Sequence, residues 1–206
     1  SKVEARGARF ARSDLTDARL MFAQLAEADL SATTIENATA LEVDLTRADL
    51  SNAQLTTSTF IKAKLDEAVL DGAEFQRCAF LQATMDRLSA RGTRFERSAL
   101  VACTQRDGDY TGADFTGTGS VGGAVYDGSV MRDLVAPSSG WNSASMIGVD
   151  LHAAQLDGSD LGKVNLTGAR LTRASLRRAL LMETVLAGAD ARGATFAEAT
   201  LRRGNL

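Results

Sequence analysis

The feature that most constrains the fold is a repeat of five residues that runs through almost the whole 206-residue chain. A small residue recurs two places before a large apolar one, as in Ala28-Asp29-Leu30 and Ala113-Asp114-Phe115. We call the large residue the centre of each pentapeptide. From residue 5 to residue 115, 19 of 23 centres are large, and 22 of the 23 residues two places earlier are small. Another 17 centres between residues 126 and 206 bring the total to 40 pentapeptides, so the repeat determines the architecture.

Neither a helix nor an ordinary strand explains this period. Amphipathic helices place apolar residues about 3.6 apart, and half-buried strands alternate with a period of two. Alanine-rich stretches such as residues 23–28 favour a helix by intrinsic propensity. We expect the fivefold pattern to override that propensity, because it persists through the entire chain.

The pattern resembles the pentapeptide-repeat family, whose consensus is Ala-(Asp/Asn)-Leu-x-x, and the resemblance covers essentially the whole chain. It implies an all-β fold, a right-handed quadrilateral β-helix in which four pentapeptides form one square coil. The centre and the small residue then point inward. Forty repeats imply about ten coils, and a rod roughly 48 Å long at about 4.8 Å per coil. We expect one domain, residues 1–206, that is part of a longer protein or has its ends covered by other domains or by self-association, because solenoid ends need caps.

Side chains one coil apart, which means four pentapeptides along the chain, should stack inside such a solenoid. Phe60 and Phe80 belong to one ladder. Two sides exchange large and small positions, Leu88 with Ala90 and Leu134 with Ala136, so volume inside the side is conserved. A second ladder, which includes three phenylalanines, contains Leu15, Ile35, Leu55, Phe75, Phe95 and Phe115. Cys78 and Cys103 occupy small inward positions that should not stack, so we interpret them as core residues rather than a disulfide.

The repeat is disturbed in two places. The interval from Phe115 to Tyr126 exceeds two pentapeptides by a single residue, and the glycine-rich segment 117–123 lies inside it. One extra residue with flanking glycines predicts a bulge or kink near 116–125. Farther along, Trp141 occupies a centre within the turn-rich segment 137–143. An indole is large for so narrow a coil, so we expect either a loosely packed coil or an outward-pointing binding anchor.

Chemistry that would indicate an enzyme is missing from the pattern. The single histidine, His152, follows a centre and should face solvent, where it forms neither a metal site nor a catalytic pair. Aspartates that directly precede centres are best explained by turn formation; they are Asp14, Asp29, Asp44, Asp49, Asp114, Asp150, Asp160 and Asp190. We therefore expect a non-enzymatic protein that needs no cofactor and no metal.

Charge is the remaining indication of a partner. The net charge is −3, but residues 26–74 carry −7 and residues 163–206 carry +5. Such clustering fits either a solvated outer face or an interaction surface. Under the second interpretation, the candidate interaction surface consists of Trp141, the acidic residues Asp44, Asp49, Asp66 and Glu67, and the basic residues Arg173, Arg177 and Arg178.

Two functions follow from the resemblance. Some pentapeptide-repeat proteins imitate duplex DNA, bind DNA gyrase and protect it from quinolones. DNA carries one charge about every 1.7 Å, so a rod of about 48 Å would need roughly 28 negative charges. Only residues 26–74 reach the required density, and the C-terminal dimerising helix of several gyrase binders is missing. Our leading hypothesis is a protein-interaction scaffold with flat β faces, and the alternative is a gyrase-directed DNA mimic.

Location and partner are predicted only broadly. No apolar run approaches the roughly 18 residues of a membrane span, and the first residues lack the apolar core of a signal peptide. We expect a bacterial, cytoplasmic chain with a protein partner and no direct contact with nucleic acid or membrane. A secreted, effector-type role is the alternative location.

Overall fold

The computed structural model describes residues 3–119 and 123–203, and in these ranges every regular element is a short parallel strand. Five parallel pairings each join a strand to the one four pentapeptides farther along the chain. The sheets have the orders β1-β3-β5 and β2-β4-β6-β7. The strands are β1 (Thr34–Glu36), β2 (Thr39–Leu41), β3 (Gln54–Thr56), β4 (Thr59–Ile61), β5 (Glu74–Gln76), β6 (Ala79–Leu81) and β7 (Ala99–Val101). The chain is the all-β pentapeptide-repeat β-helix that the sequence predicts.

The regular strands cover fewer turns than the expected ten coils. They lie only between residues 34 and 101. On both sides of this range the same pairing between successive coils continues as single-residue bridges, from Glu4 with Gln24 to Leu180 with Thr200. Each side of a coil has only about three residues between two turns. A small change at a corner therefore leaves one bridge where a full strand would otherwise form.

The predicted change of register appears in the pairing. From Thr104 with Val125 to Gly119 with Gly140, the paired positions are one residue farther apart than the four pentapeptides of a regular coil. The regular spacing returns at Val125 with Ser145. One extra residue is therefore inserted between Gly119 and Val125. Residues 120–122, which belong to the stretch predicted to kink, lie outside the described residues.

Four faces surround the core, and we name them by their centres. The first face contains Leu25, Leu45 and Leu65, and the second contains Leu30, Leu50 and Leu70. The third face carries β1, β3 and β5, and the fourth carries β2, β4, β6 and β7. A two-residue turn forms each corner, and its second residue has a positive φ, as in Asn37 (φ 53°) and Thr57 (φ 51°). Such a turn resembles type II, which favours glycine at that residue.

Replacing a threonine at one of these corners should stabilise the chain. A β-branched residue with positive φ is strained, at a cost of about 1–2 kcal/mol, whereas glycine adopts this conformation freely. We expect Thr57→Gly to raise the free energy of unfolding by about 0.5–1 kcal/mol after the larger unfolded-state entropy of glycine is subtracted. Thr59→Gly, inside β4 of the same coil, is the matched control and should lower it by a similar amount. Urea denaturation measures both values, and a loss of stability at Thr57 would contradict strain at this corner.

The core confirms the predicted ladders. Ring centroids are 5.0 Å apart for Phe75 and Phe95, 4.7 Å for Phe95 and Phe115, and 4.9 Å for Phe60 and Phe80. Stacked and tilted rings at these distances are favourable arrangements for aromatic pairs. The centres and the small residues thus fill the interior together, as the repeat predicts.

The other inward positions follow the same pattern. Leu88 and Ala90 are both buried, as are Leu134 and Ala136, so each exchange of large and small residue is accommodated within its side. Cys78 and Cys103 are free and buried, and burial raises the pKa of each thiol to about 11. These cysteines are core residues, in agreement with their sequence positions.

The interpretation of Trp141 was wrong on both options. The indole is 1% exposed and packs in the core, with its ring 5.4 Å from Phe115 and 5.3 Å from Tyr126. The small centre Ala136 follows Phe115 in its ladder, and Trp141 fills the space beside that methyl group. Its Nε1 has no hydrogen-bond partner among the described residues, which is a cost to stability. A buried indole cannot serve as an exposed binding anchor.

Candidate functional site

The acidic candidates lie on two neighbouring faces. Asp44 and Asp66 belong to the first face, Asp49 belongs to the second, and Glu67 is at the corner between them. Most of their oxygens already have partners within the chain. Asp44 accepts a hydrogen bond from the Thr46 amide at 3.0 Å, and Asp66 accepts one from the Asp86 amide at 2.9 Å. These carboxylates first stabilise turns, and only their remaining edges face solvent.

Turn formation explains the recurring aspartates before centres, as predicted. Each accepts a hydrogen bond from the backbone amide two residues farther on, for example Asp49 from Ser51 at 2.9 Å. The complete set is Asp14, Asp29, Asp44, Asp49, Asp114, Asp150, Asp160 and Asp190. Because one recurrent structural role accounts for all eight, they do not indicate paired catalytic carboxylates.

These turns should make the stability depend on acid. The Thr16 hydroxyl lowers the pKa of Asp14, and the Ser31 hydroxyl lowers the pKa of Asp29. At the far end, the Arg192 side chain lowers the pKa of Asp190 to about 2. A carboxylate with a depressed folded pKa stabilises the fold above its unfolded pKa of about 3.9, and this contribution is lost as pH falls through the folded value. We therefore expect the melting temperature to decrease as pH falls from about 5 to about 2.

A substitution can separate the charge from the hydrogen bond. Asn165 also directly precedes a centre, and its uncharged side-chain oxygen accepts a hydrogen bond from the Thr167 amide at 3.1 Å. The double variant Asp14→Asn with Asp29→Asn should keep both turns and lose less melting temperature on acidification than the parent. Replacing the same two residues by alanine removes the acceptors and should lower stability at neutral pH as well. An unchanged acid profile in the asparagine variant would contradict this account.

Ion pairs between coils change the interpretation of the acidic segment. Glu67 pairs with Arg87 at 2.8 Å, and Glu27 pairs with Arg6 at 2.9 Å. Both arginines lie outside residues 26–74, about one coil from the glutamates they pair with. The net charge counted over residues 26–74 therefore leaves them out. The charge of −7 in that window therefore overstates the negative charge that its surface presents.

The basic candidates lie far from the acidic ones. Arg173, Arg177 and Arg178 are all exposed and surround the third face near the C-terminal end of the described chain. The Arg178 guanidinium pairs with Glu198 at 3.0 Å. With Trp141 buried between the two groups, the predicted interaction residues do not converge on one site. They form an acidic group and a basic group on different faces and several coils apart.

Sequence reasoning missed a distinct surface on the fourth face. The outward residue after each centre is apolar there in five successive coils, and we call these five residues the apolar stripe: Met21, Leu41, Ile61, Leu81 and Val101. Strand registers place Leu41 beside Ile61, Ile61 beside Leu81, and Leu81 beside Val101. Met21 is 45% exposed, and the other four are half-buried. Reading only the outward positions, one coil at a time, would have revealed the stripe.

Metal-binding and membrane-spanning features are not found in the described ranges. No group of three His, Cys, Asp or Glu side chains in these ranges is arranged to hold a metal ion. His152 lies on the outer surface, as predicted, but it is half-buried, and its Nδ1 lies 2.7 Å from the Thr172 hydroxyl one coil away. Residues 3–119 and 123–203 also contain no helix of the length and apolarity that crossing a membrane requires.

Comparison with known proteins agrees with this architecture. The profile of the Pentapeptide repeats family matches eight copies, over residues 1–31, 23–60 and 144–181. A search of curated proteins gives no match.

Among solved structures, the chain is similar to HetL, a pentapeptide repeat protein involved in heterocyst differentiation regulation from the cyanobacterium Nostoc sp. strain PCC 7120. The identity is 26%, the TM-score is 0.53, and the match covers 93% of this chain and 86% of HetL. It is also similar in fold to full-length QnrB1, a plasmid-mediated fluoroquinolone resistance protein, at 19% identity and a TM-score of 0.65, over 95% and 92% of the two chains. The fivefold repeat, the pairing between successive coils and the profile match over residues 1–60 and 144–181 together show that this chain has the pentapeptide-repeat β-helix fold.

Proposed function

We propose that the chain is a non-enzymatic protein-interaction scaffold that presents side chains on flat β faces to a protein partner. The observation that carries this proposal is the division of labour within every pentapeptide. Inward residues fill the core, turn residues form corners, and only the outward residues vary freely between faces. A continuous parallel ladder holds those outward residues at a spacing of about 4.8 Å. Such preorganised surfaces favour binding because little conformational freedom is lost on association.

Crosslinking from each face tests the proposal. A photoreactive amino acid would replace one outward residue per face, in cells that naturally contain the protein. The four positions are neighbours in the same turn of the solenoid: Thr46, Ser51, Thr56 and Ile61. We expect a discrete light-dependent adduct with another protein from one face or from two adjacent faces. Adducts from none of the four positions would overturn the scaffold proposal.

The second candidate function is a gyrase-directed DNA mimic. Its support is the similarity in fold to QnrB1 together with the acidic residues 26–74. The interaction of Glu27 with Arg6 and of Glu67 with Arg87 weakens it, since a DNA mimic needs uncompensated negative charge. Titration of the purified chain into a gyrase supercoiling assay, with and without a quinolone, separates the two functions. Inhibition or quinolone protection supports mimicry, and no effect in either arm removes it.

A further inference from the structure

The fourth face differs from its neighbour in the chemistry of its outer surface. On the third face, the outward residues of β1, β3 and β5 are threonine, glutamate and glutamine. On the fourth face, β2, β4, β6 and β7 carry no charged residue. Threonine or alanine accompanies four members of the apolar stripe, and the exposed Arg19 accompanies Met21. Along β2, β4, β6 and β7 this surface therefore offers a partner mainly apolar contacts.

Addition of a strand to this face is excluded by its backbone. The Thr59 amide donates to the Ala38 carbonyl at 2.9 Å, and the Ala99 amide donates to the Cys78 carbonyl at 2.9 Å. These bonds run between coils, along the rod, so the backbone groups of the face are already paired. A partner must therefore bind through side chains.

The size of the apolar stripe indicates the shape of that partner. Four coil spacings of about 4.8 Å give about 19 Å between Met21 and Val101, and two outward residues per coil make a surface about 10 Å wide with side chains included. Two copies meeting at this face alone would bury about 400 Å² in total, well below the roughly 1,200 Å² of a stable dimer, so the stripe suits a transient contact with a narrow partner better than a stable dimer. An α-helix is about 10 Å wide, and about 13–16 residues span the stripe.

The spacing of the stripe also suits a helix that lies along the rod. One helical turn rises about 5.4 Å, close to the coil spacing of about 4.8 Å, so one apolar side chain per turn meets each coil. Helices with apolar residues at i, i+3, i+4 and i+7 present such a row. Layers of helix on sheet bury apolar surface in the same way in ordinary domains.

Charge at the edge of the stripe defines the flank of the helix. Arg77 and Arg97 occupy successive corners between the third and fourth faces, and both are exposed. The opposite edge carries Lys62, whose side chain is 55% exposed. Glu42 contacts Lys62 only at 4.0 Å, and Glu96 contacts Arg97 only at 3.8 Å. Because Glu42 balances Lys62 on its own edge, acidic side chains of a partner would be attracted to the edge that carries Arg77 and Arg97.

We propose that the apolar stripe is a docking site for an amphipathic helix of a protein partner, with acidic residues on the flank that faces Arg77 and Arg97. This inference rests on the proposed scaffold function and specifies its partner. The interface is small, so the complex is transient. Because Arg77 and Arg97 attract the acidic flank of the helix, the affinity decreases as the salt concentration rises.

A peptide titration tests the docking site. The probe is a fluorescent peptide of about 16 residues, long enough to span the stripe as a helix, with leucine at i, i+3, i+4 and i+7 and glutamate on its flanks. Its anisotropy is followed as the full chain is added. The double variant Ile61→Asn with Leu81→Asn removes the middle of the stripe. We expect it to raise Kd at least tenfold, which corresponds to about 1.4 kcal/mol. Thr56→Asn with Gln76→Asn, at the equivalent positions of the third face, should change Kd less than twofold.

Several outcomes would overturn the proposal. Equal binding by the stripe variant, or equal binding of a peptide with the same composition in scrambled order, would exclude a helix-specific site. Equal binding of a peptide with lysine flanks would exclude the acidic flank. Circular dichroism of each variant shows whether it folds, and Leu81→Thr alone is a milder substitute if the double variant does not.

Other occupants of the stripe have their own signatures. A dimer in sedimentation velocity that disappears in the stripe variant would replace the helix by a second copy. Binding to anionic lipid vesicles that disappears in the variant would replace it by a membrane. Crosslinks from Thr46, Ser51 or Thr56 without peptide binding would retain the scaffold function and reject the helix site, so the two proposals fail separately.

Discussion

Phe95→Ala should lower the free energy of unfolding by about 3–5 kcal/mol. Phe95 is fully buried between Phe75 and Phe115, with ring centroids 5.0 and 4.7 Å away. Removal of the ring takes away its transfer free energy and leaves a cavity, because the coils above and below hold the backbone in place. Each Phe in this ladder supports its neighbours, so the loss should appear in the chain as a whole.

Urea denaturation followed by far-ultraviolet circular dichroism measures this loss, provided that unfolding is a single transition. Phe22→Ala is the matched control, because Phe22 is also aromatic but is 44% exposed at a corner. The control should cost less than about 1 kcal/mol. A loss below about 1 kcal/mol at Phe95 would show that its ring does not point inward.

Periodicity predicted the fold because the narrow coil leaves few options for each side chain. Each side has room for one small and one large inward residue, so the exchange of Leu88 with Ala90 and the phenylalanine ladder could be placed from the sequence alone. The register change after Gly119 was equally visible, since one extra residue shifts every later centre. These inferences depend on spacing along the chain, which the structure preserves.

Trp141 and the charges could not be predicted in this way. Whether an indole fits depends on the residues in the neighbouring sides and coils, and here Ala136 next to Phe115 provides the space. Charge balance likewise depends on residues one coil apart, as in Glu67 with Arg87, which a window along the sequence separates. The surface of a rod made of coils is set by these contacts between coils, and not by neighbours in the sequence.

The same separation explains why the apolar stripe escaped notice. Ile61 and Leu81 are separated by several polar residues in the sequence, so neither forms an apolar run. They become neighbours only through the parallel pairing of β4 and β6. The outward positions decide what such a rod binds, whereas the fivefold repeat reports mainly on the inward ones.

Exchanging Leu88 and Ala90, so that a small residue precedes a large centre, should test directly whether the two residues share one conserved volume inside the coil. Leu88 and Ala90 are both buried, at 2% and 0% exposure. Leu88→Ala alone leaves a cavity and should cost about 2–5 kcal/mol. Ala90→Leu alone adds three carbons to a full core and should cost about 1–3 kcal/mol. The double variant puts a small residue before a large centre, as in most other pentapeptides, and should cost less than about 1.5 kcal/mol.

The informative quantity is the coupling between the two sites. If the side conserves volume, the double variant is at least about 1.5 kcal/mol more stable than the sum of the single losses predicts. Urea denaturation of the parent and the three variants gives this value. The control is the double variant Ala68→Leu with Leu88→Ala, whose two sites are small inward positions one coil apart. It leaves Ala90 unchanged, so it measures the compensation between coils and not the compensation within one side. Additive losses for Leu88 and Ala90 would mean that each residue packs against neighbouring coils more than against its partner within the side, because only a shared space makes one substitution compensate the other.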